Sequence, residues 1–313
     1  MSDLVEPQAV QITYETDEPV LYEVIDKVAW ITMNRPGFNN AQNGQMTYAL
    51  DAAFQRAVND DDVRCIVLAG NGKHFSAGHD IGTPGRDLHK DFDRALLLPG
   101  HVNKPAAELL YTREQEQYLG MCRRWRAAPK PTVAMVQGAC IAGGLMLAWV
   151  CDLIIASDDA FFQDPVVRMG IPGVEYFAHA FELPPRVAKE FLLLGERMPA
   201  ARAEQFGMVN RIVPREQLRA EVTAVAAKLA AQPRLGAWLT KQAINHVEEL
   251  RGKNSAIDAV FHMHHFAHAQ NDLTMGSSIA GLDAKAMAAA NKKQAEAAAG
   301  TAKAGEPEKK AAE

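Results

Sequence analysis

Apolar runs long enough to span a bilayer are missing from this 313-residue chain, and so is any strong excess of charge. With 33 Lys and Arg against 38 Asp and Glu, the net charge is −5, which gives no electrostatic reason to expect a nucleic acid or a membrane surface as partner. The start Met1-Ser-Asp-Leu-Val-Glu6 lacks the basic and apolar regions of a secretory signal, so a cytoplasmic location is expected. Cysteine is scarce. Cys65, Cys122, Cys140 and Cys151 have no close paired metal spacing and stand in mostly apolar surroundings, which favours reduced, packed thiols over redox or metal roles. Large apolar residues all but vanish from residue 283 onward, where Ala, Lys, Glu and Gly dominate. Such a tail cannot bury enough surface to offset its ordering entropy and is expected to be disordered or a frayed helix.

What the chain does have is 48% hydrophobic residues, enough for one substantial core. After a polar, irregular start (1–17), residues 20–24 and 28–33 read as two strands of a hairpin. Helical spacing begins near Gln45, with Met46, Leu50, Phe54 and Val58 on one face, and residues 64–69 read as a buried strand. Residues 82–105 have no clean period and read as a variable loop or lid. A long amphipathic helix is predicted over 106–128, closed by Pro129 and Pro131, and a strand over 132–136. Strands that are apolar throughout and alternate with helices imply an α/β fold with a mostly parallel sheet covered on both faces. After Pro214 the pattern is wholly helical, over 215–231, 235–250 and 255–272.

Two glycine-bearing segments carry the chemistry. In Gly138-Ala-Cys-Ile-Ala-Gly-Gly-Leu-Met146 small residues bare the backbone where an apolar segment turns into a helix, and His74-Phe-Ser-Ala-Gly-His-Asp-Ile81 follows another strand. Peptide N–H groups from the two can converge on one oxygen, which is the layout of an oxyanion hole. The alternative is that these glycines only permit tight strand–helix packing.

In this order the two segments resemble the signature of the enoyl-CoA hydratase/isomerase (crotonase) superfamily. Trp30-Ile-Thr-Met-Asn-Arg-Pro36 before them is similar to the strand and turn that open that fold. Ala160-Phe-Phe-Gln-Asp-Pro-Val-Val-Arg-Met-Gly-Ile-Pro-Gly173, the helix from Lys189 and the run from Ala203 to Pro214 resemble its later segments. The resemblance spans residues 18–280. It implies a crotonase-like spiral of strand-strand-helix repeats over 18–214, a C-terminal helical oligomerisation module over 215–282 and a homo-oligomer, a trimer or dimer of trimers. Val222, Val225, Leu229, Ile244, Val247, Ile257, Val260 and Phe261 are then expected between subunits. The implied substrate is an acyl-CoA, held at Ser76, Ala77 and His79, with coenzyme A as part of the substrate and no other cofactor.

Carried over residue by residue, the oxyanion-hole amides are those of His79 and Gly143. The two glutamates that hold water in the family's hydratases fall on Met146 and Val166, which transfer no proton and would line the substrate pocket. Lyase (hydratase) or isomerase chemistry through a thioester enolate is therefore expected with a divergent acid/base set. A silent acyl-CoA-binding protein and a thioester hydrolase are the alternatives. Glu175, Asp164 and His79 are the candidate replacements. Their competing readings are a cap or pairing with Arg168 or Arg186 for the carboxylates, and simple packing for His79. His262, His264, His265 and His268 have helical spacings that suit a metal, but on a terminal helix of this family a subunit contact is expected, and no metal.

Overall fold

The computed structural model describes residues 16–81, 87–88, 90–93, 98–279, 286–287, 289–290 and 293. Among these are nine strands: β1 (Val20–Ile25), β2 (Val28–Met33), β3 (Cys65–Gly70), β4 (Thr132–Val136), β5 (Ala139–Ile141), β6 (Leu153–Ser157), β7 (Phe161–Gln163), β8 (Met198–Pro199) and β9 (Arg211–Val213). They form a six-stranded sheet in the order β1-β2-β3-β4-β6-β9 and a three-stranded sheet in the order β5-β7-β8. In the large sheet β1 is antiparallel to β2 and every other pairing is parallel.

The spiral is visible in how consecutive strands are shared out. β4 enters the large sheet, β5 the small one, and the helix Gly143–Trp149 follows; β6 and β7 repeat the move, and a 3-10 turn Val166–Met169 follows them. β2 and β3 are buried along almost their whole length, because helices cover both faces of the sheet. On one face Met46, Leu50 and Phe54 pack with Ile66, Leu68, Trp149 and Phe162. On the other, Val222, Val225 and Ala226 of the helix Leu218–Ala230 pack against Trp30, Val67, Val133 and Ile155.

That second face corrects an expectation. Val222, Val225, Ile257 and Phe261 are buried within one chain and not between subunits, since the first C-terminal helix closes the sheet and the last packs on the main core. Ile244 and Val247 remain exposed on the helix Arg234–Leu250.

Another departure lies in the helix predicted over 106–128. It is built as Ala106–Glu114, a π-helical turn Gln115–Gly120 and Met121–Arg126. A π-turn inserts an extra residue into the helical register and shifts which side chains face inward. Here it leaves Arg113, Glu114, Glu116 and Gln117 all buried. Of the loop predicted over 82–105, the described part includes Asp87, whose carboxylate accepts from the amides of Gly44 and Gln45 at 3.0 and 2.9 Å. This anchors it to the positive end of the Gly44–Asn59 helix. Residues 1–15 and most of the tail after 283 lie outside the described residues. The described tail residues are helical, and Met287 among them is buried in the core, so one apolar side chain docks where none was expected to matter.

Candidate active site

The segment 75–80 is threaded like a short strand between its neighbours. Ser76 donates its amide to Ala139 O and accepts from Ile141 N, while Gly78 O and the Asp80 amide bond to Gln42. Held this way, it lies hard against the second glycine segment. A Cβ on Gly144 would come within 2.6 Å of Ser76 O, and one on Gly78, whose φ is +93°, would come within 2.8 Å of Ile141 O and 3.2 Å of the Gly143 amide. Ala142 stands at φ +47°, a conformation costly for a residue with a side chain. It is pinned there by its amide on Gln163 O (2.9 Å) and by Leu145 N on its carbonyl (2.8 Å). The glycines thus do allow close packing, and the same packing brings the amides of His79 and Gly143 together. Among the described residues neither amide donates to a backbone carbonyl.

Beside them opens a cavity of about 810 Å³, within the range of small-molecule sites. Ala77, His79, Val166, Val174 and Glu175 line it. Glu175 is buried, and its Oε2 lies 2.9 Å from His79 Nε2. Its Oε1 is 3.7 Å from His264 Nε2. The His79 ring stacks on Tyr118 at 3.7 Å between centroids, and its buried Nδ1 makes no hydrogen bond. A Cβ on Gly143 would come within 2.7 Å of that Nδ1. Burial pushes the Glu175 carboxyl up, but the ion pair with His79 and the nearby His264 outweigh it and hold the group well below the usual carboxylate range. Burial alone would have raised it; the facing imidazoles reverse the sign.

Along the same wall lie Glu114, His264 and His268. All are buried inside one chain, so His264 and His268, and His265 with them, are not the surface subunit contact expected of the cluster, whereas His262 is exposed. Burial pushes His264 down, but Glu114 and Glu175 outweigh it and raise its pKa to about 9.

These elements, in this order and around this pair of amides, match a known family. The enoyl-CoA hydratase/isomerase family model matches residues 23–95 and 102–280. The chain belongs to the enoyl-CoA hydratase/isomerase family. It is 39% identical over 263 residues to Mycobacterium tuberculosis EchA13, a protein named as an enoyl-CoA hydratase, with 80% of this chain and 81% of the relative covered. A crystal structure from Mycobacterium smegmatis bearing the same enzyme name superposes with a TM-score of 0.77 at 42% identity, covering 85% of this chain and all of that one. An enoyl-CoA hydratase/isomerase from Xanthobacter autotrophicus Py2 gives 0.71 at 32% identity, covering 80% and 88%.

Within this family's fold, the sequence-derived candidates separate. His79, Gly143 and Glu175 come together, and Val166 lines the cavity with Ala77. Met146 does not line it. It is buried in the core, its sulfur 3.3 Å from the Tyr176 amide. Ser76 is likewise buried and does not line the cavity, its hydroxyl donating to Asn40 O (2.8 Å) and accepting from Gly78 N (3.2 Å), so it shapes the segment. Asp164 is fully buried and 2.8 Å from His179 Nε2, an equally buried partner. It pairs with a histidine and not with Arg168 or Arg186. Glu114, Tyr118 and the Arg113–Asp87 pair (3.9 Å) were missed. The signal was present as the run Arg113-Glu114-Gln115-Glu116-Gln117, too polar for the inward face of an ordinary amphipathic helix. The four thiols are free and buried, and burial raises those of Cys65 and Cys151 to about 12, which leaves them unreactive.

Proposed function

We propose that this protein acts on an acyl-CoA thioester as a lyase or isomerase. In this reading the amides of His79 and Gly143 stabilise the thioester enolate oxygen, and the Glu175–His79 pair moves the proton. The observation that carries the reading is the juxtaposition, beside one cavity, of two amides with no backbone acceptor and a buried carboxylate 2.9 Å from His79 Nε2. Fixed amides suit an oxyanion because they need no reorganisation as charge develops. Glu175 offers Oε1 as proton acceptor while His79 holds Oε2 and spreads the negative charge, so the pair replaces the two glutamates whose positions carry Met146 and Val166. Incubation with a panel of acyl-CoAs tests it. Altered acyl chains are expected; free thiol release would indicate hydrolysis, and binding without turnover a silent subunit, and either would overturn the reading.

Lys73 and Arg197 supply exposed positive charge at the same cavity, and Arg197 also lies 4.2 Å over the Phe161 ring. They are suited to the phosphates of coenzyme A. A hydrogen bond to a charged group contributes about 1.5–3 kcal/mol, so Lys73→Ala with Arg197→Ala should weaken acyl-CoA binding by about tenfold or more. Binding of the matching pantetheine thioester, which lacks the nucleotide phosphates, should change little; calorimetry with the two ligands checks both.

The proposed assembly is a trimer or dimer of trimers. Leu235, Trp238, Leu239 and Leu250 on Arg234–Leu250 are exposed in the single chain, as are Phe266 and Leu273 on Lys253–Met275. So large an apolar set favours burial between copies. Sedimentation velocity at micromolar concentration should give three or six chains; a monomer would contradict it.

A further inference from the structure

Glu114, His264 and His268 bring three ligating atoms close together. His264 and His268 are one helical turn apart on Lys253–Met275 and share a face. Glu114 is the last α-helical residue before the π-turn, which directs it toward that face. His264 Nε2 and His268 Nε2 are 2.8 Å apart, and Glu114 Oε2 lies 3.6 Å from the first and 3.9 Å from the second.

The other ring nitrogens decide where the protons are. His264 Nδ1 is 2.7 Å from Gly173 O, and His268 Nδ1 is 2.6 Å from Ser278 O. A carbonyl only accepts, so each Nδ1 donates, and each ring can offer a lone pair only at Nε2, once any second proton has left. Two Nε2 atoms and a carboxylate oxygen thus meet at one place, where a cation, a proton or a metal ion, can lie between them. A proton on one ring would bridge the two nitrogens. It would leave Glu114 Oε2, buried and without a hydrogen bond, beyond reach. A tetrahedral ion bound at about 2.0–2.1 Å sets its ligands roughly 3.4 Å apart, and the three observed separations fall on both sides of that value. The Nδ1–carbonyl bonds are also how metal-bound imidazoles are oriented.

We propose that Glu114, His264 and His268 form a site for one divalent transition-metal ion of the zinc class, on the wall of the acyl cavity. Imidazole and carboxylate ligands suit zinc, cobalt or iron better than magnesium or calcium. Three protein ligands leave a position for water or a substrate oxygen, as in catalytic rather than structural zinc sites. Glu114 supplies one negative charge to the ion, and Glu175 Oε1 stands 3.7 Å from His264 Nε2 beside the site. His265 stands 3.4 Å from the same Glu114 oxygen. The site stands whether or not the acyl-CoA reading holds.

The test uses the untagged full chain, stripped with a chelator and titrated with Zn²⁺ by calorimetry and with Co²⁺ by visible absorption. One equivalent per chain is expected, with Kd at or below about 1 μM, a Co²⁺ ligand-field spectrum, and two imidazole N–H proton resonances shifted by the bound Co²⁺. Glu114→Gln and His268→Asn should each weaken binding by about tenfold or more, whereas His262→Ala, an exposed imidazole of the same helix, should not. Absence of saturable binding to the unmodified chain would overturn the site and leave a shared proton. So would binding that survives both ligand substitutions, or Co²⁺ that shifts no imidazole N–H.

Discussion

Glu175→Gln is expected to lower kcat on the accepted acyl-CoA by about 10²-fold or more while leaving acyl-CoA affinity almost unchanged. The amide keeps the shape of the carboxylate and can still accept from His79 Nε2, but it takes up no proton. Binding is expected to survive because, in the proposed reading, the thioester oxygen is held by backbone amides that the substitution does not touch. Stopped kinetics with a matched binding titration separates the two effects; a fall in affinity with unchanged kcat would place Glu175 in binding alone. The pH dependence carries a second check. Because His79 and His264 hold the Glu175 pKa below the usual range, the group stays ionised through pH 5–8 and contributes no acid limb there. His79→Gln keeps the backbone amide and removes the partner imidazole, so the burial that raises the Glu175 pKa is less opposed. An acid limb should then move up toward neutral pH in kcat/KM. The stability contributed by the depressed pKa has the same sign. It is present above the unfolded carboxylate's pKa and is lost only as pH falls through the lower folded value.

The two glycine-bearing segments were legible because their close packing is written in the backbone. A strand, a run of small residues and a helix start can be placed from composition, and Gly143, Gly144 and Gly78 stand where no Cβ fits. The β2 and β3 strands were equally legible, since burial on both faces leaves unbroken apolar runs. Side-chain partners across long sequence separation were not. Nothing local in Glu175 indicates that His79, 96 residues away, will reverse the effect of burial on it. The cluster of Glu114 with His264 and His268 was hidden for a further reason. Helical periodicity assumes a constant register, and the π-turn at Gln115–Gly120 shifts it. Amphipathic C-terminal helices show that apolar faces need partners, but not whether the partner is the chain's own sheet, as for Val222, or another copy.

Asp164→Ala should destabilise the protein by about 3–5 kcal/mol and leave the kcat of the folded enzyme unchanged. Asp164 and His179 are both fully buried, 2.8 Å apart, and the Trp149 ring meets His179 edge-on at 4.7 Å. Removing the carboxylate strands His179 Nε2 among apolar rings, and its Nδ1 already has no partner. The cost is that of an orphaned polar group with no water to replace its bond, plus a small cavity beneath the turn Val166–Met169. Asp164→Asn should cost less, because the amide oxygen can still accept from His179. For a chain of this size each kcal/mol lowers the melting temperature by roughly 2–4 °C, so the alanine variant should melt roughly 10 °C below the unmodified protein. Thermal melts paired with kcat at a temperature where both variants are folded decide the assignment. A hundredfold loss of kcat with an unchanged melting temperature would put Asp164 in the chemistry. The expected opposite, a lower melting temperature with full kcat, would leave Glu175 as the carboxylate that works and Asp164 as the one that holds the Pro165–Val166 turn in place.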